Sequence, residues 1–284
     1  MVIVNFPKAI EIMTTSFCNA NCVICPHKKV SQKLPMGIMS MDLFKKILSE
    51  INNKKTLLIP YLNGEPFLDP HFFERLDLIK KHCPNVKLEI STNLSVFTPE
   101  KIDKLCNYNI DELRLSVFGF TPETYHRIMP GLNWNKTKKN LDYLVKSVSS
   151  FNKVGIVMVL CDLLKEEDIL LAEKYCRKHK LTLHKWGFLD RGGNVENYYN
   201  KVKAGKIVGC SQNREIERLH VLFNGEVILC CQDWGRKYIL GDLKTSTNKQ
   251  IWNSKPYEEI RESIHHRNKK APKICEKCVL AKKL

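Results

Sequence analysis

Three cysteines lie within eight residues near the N-terminus, with the spacing Cys18-x3-Cys22-x2-Cys25. Thiolates are soft ligands, and three of them on one short loop can hold three irons of a cubane iron–sulfur cluster. The fourth iron of the cube would then be open to another ligand. Two alternatives are a zinc loop, although zinc more often uses Cys-x2-Cys pairs, and chance spacing in a chain with 12 cysteines.

A second motif, Asn63-Gly64-Glu65-Pro66, follows an apolar run at residues 57–62. A simple turn from strand to helix would also explain it. Together with the cysteines, it resembles the radical S-adenosylmethionine (radical SAM) superfamily. In that family SAM fills the open iron, and a Gly-Gly-Glu motif holds the amino group of SAM. Asn63 replaces the first glycine here, and asparagine tolerates unusual backbone angles nearly as well as glycine does.

The resemblance also implies contacts to SAM further along the chain. Thr92 and Asn93 follow a predicted strand and correspond to a position that binds the ribose hydroxyls. Ser116 matches a position that contacts the cofactor. Arg127 resembles an arginine that pairs with the carboxylate of SAM, for which a guanidinium is the natural partner. The alternative for Arg127 is an ordinary surface arginine.

These motifs need a scaffold of alternating strands and helices. Apolar and β-branched runs predict strands over residues 9–14, 57–62, 86–91, 112–118, 154–160 and 181–186. Apolar residues at helical spacing predict helices over residues 41–52, 70–81, 99–107, 134–149 and 166–180. Strands separated by helices form parallel sheets. We therefore predict an α/β fold, a partial (β/α)6 TIM-like barrel over residues 1–200 with its chemistry at the carboxyl ends of the strands.

A second group of cysteines lies in the predicted C-terminal module, residues 201–284. Asn224-Gly225 between two alternating runs predicts a β-hairpin, and a helix is predicted over residues 257–265. The module resembles the twitch module, a shortened form of the SPASM extension of radical SAM enzymes. The resemblance implies a second [4Fe-4S] cluster with no open iron, although a structural zinc site is the alternative. Its four implied ligands are Cys210, Cys230, Cys275 and Cys278.

Three further residues are predicted to take part in the substrate chemistry. Arg191 opens an Arg-Gly-Gly-Asn segment that in relatives closes the barrel near the substrate, with a plain glycine-rich linker as the alternative. Cys161 and Cys231 are candidate hydrogen-atom donors, or else buried small apolar residues. A proton acceptor is expected close by, among Arg191, His184 and Lys185.

Composition limits the class of protein and its partners. The chain has 284 residues, 43% of them hydrophobic, and contains neither a signal peptide nor a membrane-spanning stretch. Many cysteines without a secretion signal predict a cytoplasmic protein. The formal net charge of +16 is interpreted mainly as a solvated surface. It would also suit an anionic substrate or an acidic electron donor such as flavodoxin or ferredoxin, whereas no aromatic-interleaved basic patch indicates nucleic acid.

The resemblance implies that reductive cleavage of SAM yields a 5′-deoxyadenosyl radical, which removes a hydrogen atom from the substrate. We expect oxidation or epimerisation of a small polyol, aminocyclitol or sugar, as in enzymes of the scyllo-inosamine dehydrogenase type, with the second cluster as electron acceptor. The alternative is epimerisation or crosslinking of a ribosomally made peptide; the lack of an extra domain before the barrel argues against it. A zinc-dependent nucleic-acid-binding protein is a rival of another class.

Overall fold

Strands and helices alternate along most of the chain in the computed structural model, which describes residues 5–52, 54–195, 205–266 and 269–284. The strands within these residues are β1 (Ala9–Ile12), β2 (Leu57–Ile59), β3 (Lys87–Thr92), β4 (Glu112–Ser116), β5 (Val154–Leu160), β6 (Thr182–Gly187), β7 (Ile207–Cys210), β8 (Arg218–Val221), β9 (Glu226–Ile228), β10 (Ile239–Asp242) and β11 (Ala281–Lys283).

The α-helices within the same residues are α1 (His27–Ser31), α2 (Met41–Ser49), α3 (Phe72–His82), α4 (Pro99–Leu105), α5 (Pro122–Ile128), α6 (Trp134–Leu144), α7 (Glu166–His179), α8 (Arg214–Glu217), α9 (Asn248–Trp252), α10 (Lys255–His265) and α11 (Lys273–Glu276). Two 3₁₀ turns add Pro66–Leu68 and Val145–Ser150. No helix among the described residues combines the length and the apolar character that crossing a membrane requires.

The first six strands lie side by side in chain order, and each pairs in parallel with the next. This arrangement confirms the predicted partial barrel. Strand β4 shows why the sheet forms, because its side chains alternate between two environments. Leu113 and Leu115 are buried in one apolar core with helix residues such as Leu141, whereas Arg114 and Ser116 lie on the opposite, inner face.

The helices begin where the sequence supplies a capping side chain. The Ser40 hydroxyl accepts a hydrogen bond from the Leu43 N–H at the start of α2, and the Thr98 hydroxyl accepts one from Lys101 at the start of α4. Pro99 occupies the first turn of α4, where its missing N–H costs nothing. Both starts agree with the sequence prediction.

The C-terminal segment joins the barrel sheet. Strand β8 pairs in parallel with β1, from Ala9 opposite Arg218 to Ile12 opposite Val221. The predicted hairpin is confirmed, since β9 runs antiparallel to β8 after a turn in which Gly225 has a φ of +90°. Strand β10 extends this sheet to nine strands, while β7 and β11 form a separate antiparallel pair. The predicted domain boundary at residues 200 and 201 lies outside the described residues.

Candidate active site

The first three cysteines lie on a loop between β1 and α1, and distant backbone groups hold this loop in place. The N–H groups of Asn21 and Val23 donate to the carbonyls of Pro130 (2.8 Å) and Ile128 (3.0 Å) at the end of α5. On the other side, Nε2 of the buried His27 lies 2.8 Å from the Ser16 carbonyl. The loop conformation is therefore set from two directions by the protein.

Gly64 packs directly against the start of this loop. A Cβ at residue 64 would lie 2.5 Å from the Thr15 carbonyl oxygen and 2.9 Å from that of Phe17, which is closer than real side chains come. The next residue, Glu65, donates its N–H to the Phe17 carbonyl at 2.8 Å. The glycine of the motif is thus required by close backbone approach.

The Glu65 carboxylate points into the protein at the end of β3. It accepts hydrogen bonds from the Thr92 hydroxyl (2.7 Å) and from the backbone N–H groups of Asn93 (2.8 Å) and Phe67 (3.3 Å). Burial raises the pKa of this carboxyl to about 7, although these hydrogen bonds oppose the rise. Glu65 therefore connects the motif to the predicted ribose-binding residues, and its contact with SAM stays a prediction.

Asn93 connects the same strand end to the cysteine loop. Its side-chain amide donates to the Asn19 side chain at 3.0 Å, and the Asn19 amide donates to the Ser95 hydroxyl at 2.8 Å. The sequence analysis missed Asn19, one residue after Cys18. Its position inside the cysteine motif was the available signal.

The three thiols of the loop form a donor set that fits an iron–sulfur cluster. Burial raises the pKa of Cys18 to about 12 and raises those of Cys22 and Cys25, and the Cys25 charge acts on both other thiols. The sulfur atoms therefore lie within electrostatic range of one another. Cations that replace the thiol protons would relieve this cost, because metal ligation requires the thiolate.

Arg191 lies beside this loop, as the sequence analysis predicted from the glycine-rich segment. Its positive charge lowers the pKa of both Cys22 and Cys25, and its own pKa is lowered by burial and by the nearby Arg214. The Nε of Arg191 is buried and has no hydrogen-bond partner among the described residues. Arg191 thus joins the two cysteine sites electrostatically, and its catalytic role stays a prediction.

The inner face of the barrel is lined by charged groups. Arg114 donates to Glu89 at 2.6 Å and to Glu112 at 2.7 Å, and the Tyr61 hydroxyl donates to Glu89 at 2.6 Å. Burial raises the pKa of Glu89, which its neighbours Arg114 and Tyr61 partly oppose. Ser116 belongs to the same face, with its hydroxyl 3.5 Å from that of Ser91.

Cys231 faces a charged pair on the neighbouring strands β1 and β8. Side-chain donor atoms of Glu11, His220 and Cys231 all lie within 4.8 Å of one another. Glu11 also accepts a hydrogen bond from Arg218 at 2.8 Å. Burial tends to raise the pKa of Glu11, but His220 and the arginines lower it to about 2, so this carboxyl is ionised. Sequence analysis missed Glu11 and His220, because their pairing depends on the register of β8 against β1.

The four cysteines of the C-terminal module line one largely apolar cavity. Cys210 ends β7, Cys275 lies in α11, and Cys230 and Cys278 come from turns. Burial raises the pKa of Cys230 to about 12 and of Cys278 to about 11, and neighbouring thiols contribute to both rises. A four-thiol set in one dry cavity fits a fully ligated cluster.

The structure places the remaining predicted residues as follows. Cys161 lines the same cavity as Cys22 and Cys25, and Asn63 lies near His27. Arg127 is one residue before the carbonyl that binds the loop, but its guanidinium pairs with Glu123 at 2.7 Å. The prediction that Lys185 serves as a proton acceptor is wrong, because it pairs with Glu173 on α7 at 3.0 Å. His184 instead lies 3.0 Å from Glu112 among the inner charged groups.

Comparison with known families agrees with this geometry. Residues 12–176 match the radical SAM superfamily, and residues 210–279 match the SPASM iron–sulfur cluster-binding domain. Since the first match covers more than half of the chain, the protein belongs to the radical SAM superfamily. The predicted cofactors, SAM and [4Fe-4S] clusters in both parts, are confirmed at the level of these families.

Two curated relatives differ in how much of the chain they match. The AdoMet-dependent heme synthase of Methanosarcina barkeri is 27% identical over 177 residues, which are 54% of this chain and 49% of that enzyme. This chain thus spans about half the length of that relative. The S-adenosyl-L-methionine-dependent 2-deoxy-scyllo-inosamine dehydrogenase of Niallia circulans is 19% identical over 271 residues, 95% of this chain and 91% of that enzyme.

Two solved structures share the fold. BtrN in complex with AdoMet and 2-DOIA superposes with a TM-score of 0.64 at 17% identity, covering 95% of this chain and 92% of BtrN. Streptococcus suis SuiB bound to precursor peptide SuiA gives a TM-score of 0.76 at 15% identity, covering 98% of this chain and 71% of SuiB. At these identities the likeness concerns the fold alone.

Proposed function

We propose that this radical SAM enzyme oxidises an alcohol of a small polyol, aminocyclitol or sugar to a ketone. The observation that carries the proposal is the second cysteine set, because four thiols around one cavity leave no open iron for a substrate. Such a site suits electron transfer. The match to an aminocyclitol dehydrogenase over 95% of this chain and 91% of that enzyme supports this choice of substrate class.

In this proposal the first cysteine loop holds the cluster that meets SAM. Bound SAM supplies a 5′-deoxyadenosyl radical, which removes one hydrogen atom from the carbinol carbon. The residues of the chain bind and orient SAM and keep water away from it. The residues that we assign to SAM are Asn63, Gly64, Glu65, Thr92, Asn93, Ser116 and Arg127.

The remaining proton and electron leave by different routes. The hydroxyl proton passes to the carboxylates of the inner barrel face, where Glu89 combines burial with a raised pKa. The electron passes to the site formed by Cys210, Cys230, Cys275 and Cys278. Arg191, which is electrostatically coupled to both cysteine sites, orients the substrate between them. One hydrogen atom, one proton and one electron together account for the two-electron oxidation.

A second candidate is radical modification of a peptide, including epimerisation. The position of Cys161 favours it, because this thiol lines the same cavity as Cys22 and Cys25 and could return a hydrogen atom to a substrate radical. Cys231, beside Glu11 and His220, is the other candidate donor. The fold shared with the peptide-bound SuiB is consistent with this candidate.

One mass measurement separates the two functions. The reconstituted enzyme is incubated in deuterated water with SAM, a reductant and candidate polyols or peptides. Dehydrogenation gives a product about two mass units lighter than the substrate, whereas thiol quenching gives one about one unit heavier. Deuterium incorporation that disappears in Cys161→Ser or Cys231→Ser would overturn the dehydrogenase proposal and identify the donor.

A further inference from the structure

The chain around the first cysteine loop has an unusual distribution of charge. Residues 18–41 contain Lys28, Lys29 and Lys33 but no aspartate or glutamate. All three lysines are exposed, and none forms an ion pair with a described residue. Elsewhere lysines often pair with acids, as Lys138 does with Asp142. The surface of α1 and the turn after it is therefore positive and uncompensated.

Two further features belong to the same surface. Val23, between Cys22 and Cys25, is 46% exposed although it is apolar. Arg236 donates to the carbonyl of Pro35 at 2.9 Å and adds a guanidinium beside this segment. We call the surface formed by Val23, Lys28, Lys29, Lys33 and Arg236 the basic face.

The basic face lies next to the first cysteine site. Lys28 and Lys29 line the same open cavity as Cys22 and Cys25. An electron carrier that contacts these lysines would therefore come close to the sulfur ligands of the cluster. The second cysteine set lines a different cavity, and none of these lysines contributes to it.

We propose that the basic face is the docking surface for an acidic one-electron carrier protein of the flavodoxin type. Radical SAM enzymes require an electron donor, so a surface for it has to exist near the first site. Encounters of redox proteins are small and weak, and opposite charges raise their association rate and fix their orientation. An exposed apolar side chain surrounded by cations matches the requirements of such an encounter with an acidic partner.

The competing explanation is that Lys28 and Lys29 bind an anionic substrate or SAM itself. The two explanations differ in one respect. A lysine that serves docking matters only when the electron comes from a protein, whereas a lysine that binds substrate or SAM matters with every reductant. Dithionite, a small reductant that needs no docking surface, distinguishes them.

The test uses the full-length protein with both clusters loaded and compares K28E/K29E/K33E with a control of equal charge change, K45E/K55E/K249E. The control lysines are exposed and do not line the cavity of Cys22 and Cys25. Binding of flavodoxin is measured by calorimetry. Reduction of the first cluster is followed by electron paramagnetic resonance, once with reduced flavodoxin and once with dithionite.

We expect the K28E/K29E/K33E variant to lose affinity for flavodoxin and to slow flavodoxin-driven cluster reduction on the order of 10-fold. The rate should also lose most of its dependence on salt. Dithionite-driven reduction and slow SAM cleavage should stay unchanged, and the control variant should behave like the parent. Equal losses with both reductants, or equal losses in the control, would overturn the proposal. Neither outcome depends on which substrate the enzyme oxidises.

Discussion

The two cysteine sites differ in how the chain brings their sulfur atoms together. The first site takes its three thiols from one loop of eight residues. The second takes four thiols from strand β7, helix α11 and two turns, between residues 210 and 278. In the first site, spacing is local and tertiary contacts only anchor the loop. In the second site, tertiary contacts create the spacing.

This difference predicts unequal consequences when the ligands are lost. The first loop is held by hydrogen bonds to Ile128, Pro130 and Ser16, which do not involve a cluster. The second site ties together segments that are linked otherwise by the short β7–β11 pair. A group that binds only the native arrangement stabilises it, so a cluster should contribute more to folding at the second site.

The largest expected effect comes from removing each cysteine set in turn. C18A/C22A/C25A should abolish SAM cleavage, because no cluster remains to meet SAM, and should leave about four of about eight irons per chain. The variant that lacks Cys210, Cys230, Cys275 and Cys278 should still cleave SAM but lose the oxidised product. Iron analysis, 5′-deoxyadenosine assays and product mass spectra check this prediction.

Thermal unfolding provides the control for that comparison. If the second site matters more for folding, its variant should unfold at a lower temperature than the first-site variant. A second-site variant that keeps forming the oxidised product would show that the proposed electron route is wrong. Stoichiometric zinc without iron in an anaerobic preparation would contradict both assignments.

Glu65 tests how the first site is linked to SAM. Replacing it by alanine removes the acceptor of hydrogen bonds from Thr92, Asn93 and Phe67. We expect SAM affinity to fall by about 1.5–3 kcal/mol, the range for hydrogen bonds to charged groups. Calorimetric SAM titration measures this change. The Glu65→Gln variant, which keeps one acceptor oxygen, should lose less, and unchanged affinity in Glu65→Ala would mean that the motif is misassigned.

Gly64 tests how tightly the first loop is packed. The added methyl group of Gly64→Ala would approach the Thr15 carbonyl to 2.5 Å, so the backbone must shift. We expect a loss of about 2 kcal/mol in the free energy of unfolding, together with weaker SAM binding. Gly187→Ala is the matched control, because a Cβ there meets nothing within 4 Å. Equal stability of the two variants would count against close packing at residue 64.

Glu11 tests the seam between the barrel and the C-terminal segment, where it bonds Arg218 of β8. Its folded pKa of about 2 lies below the ordinary value of 4.5, so its contribution is present above pH 4.5 and is lost as the pH falls toward 2. Glu11→Gln should destabilise the protein by about 1.5 kcal/mol at neutral pH. Denaturant unfolding at several pH values should show this difference shrinking below pH 4.5; a pH-independent difference would refute the ionic origin.

The sequence by itself predicted what depends on neighbouring residues. The cysteine loop, the six barrel strands and the caps of α2 and α4 all follow from local spacing, periodicity and capping chemistry. Helix α5 was missed even though Thr121 and Pro122 carry a start signal. As a result, the prediction for Arg127 did not include Glu123, its partner one turn away on that helix.

Only the tertiary structure decided which distant residues meet. The parallel pairing of β8 with β1 joins residues about 200 positions apart, and an alternating apolar pattern does not specify its partner strand. That pairing brings His220 to Glu11, and the fold brings Asn93 to Asn19. Spacing along the chain is encoded locally, whereas contacts between distant elements are selected by burial and register over the whole sheet.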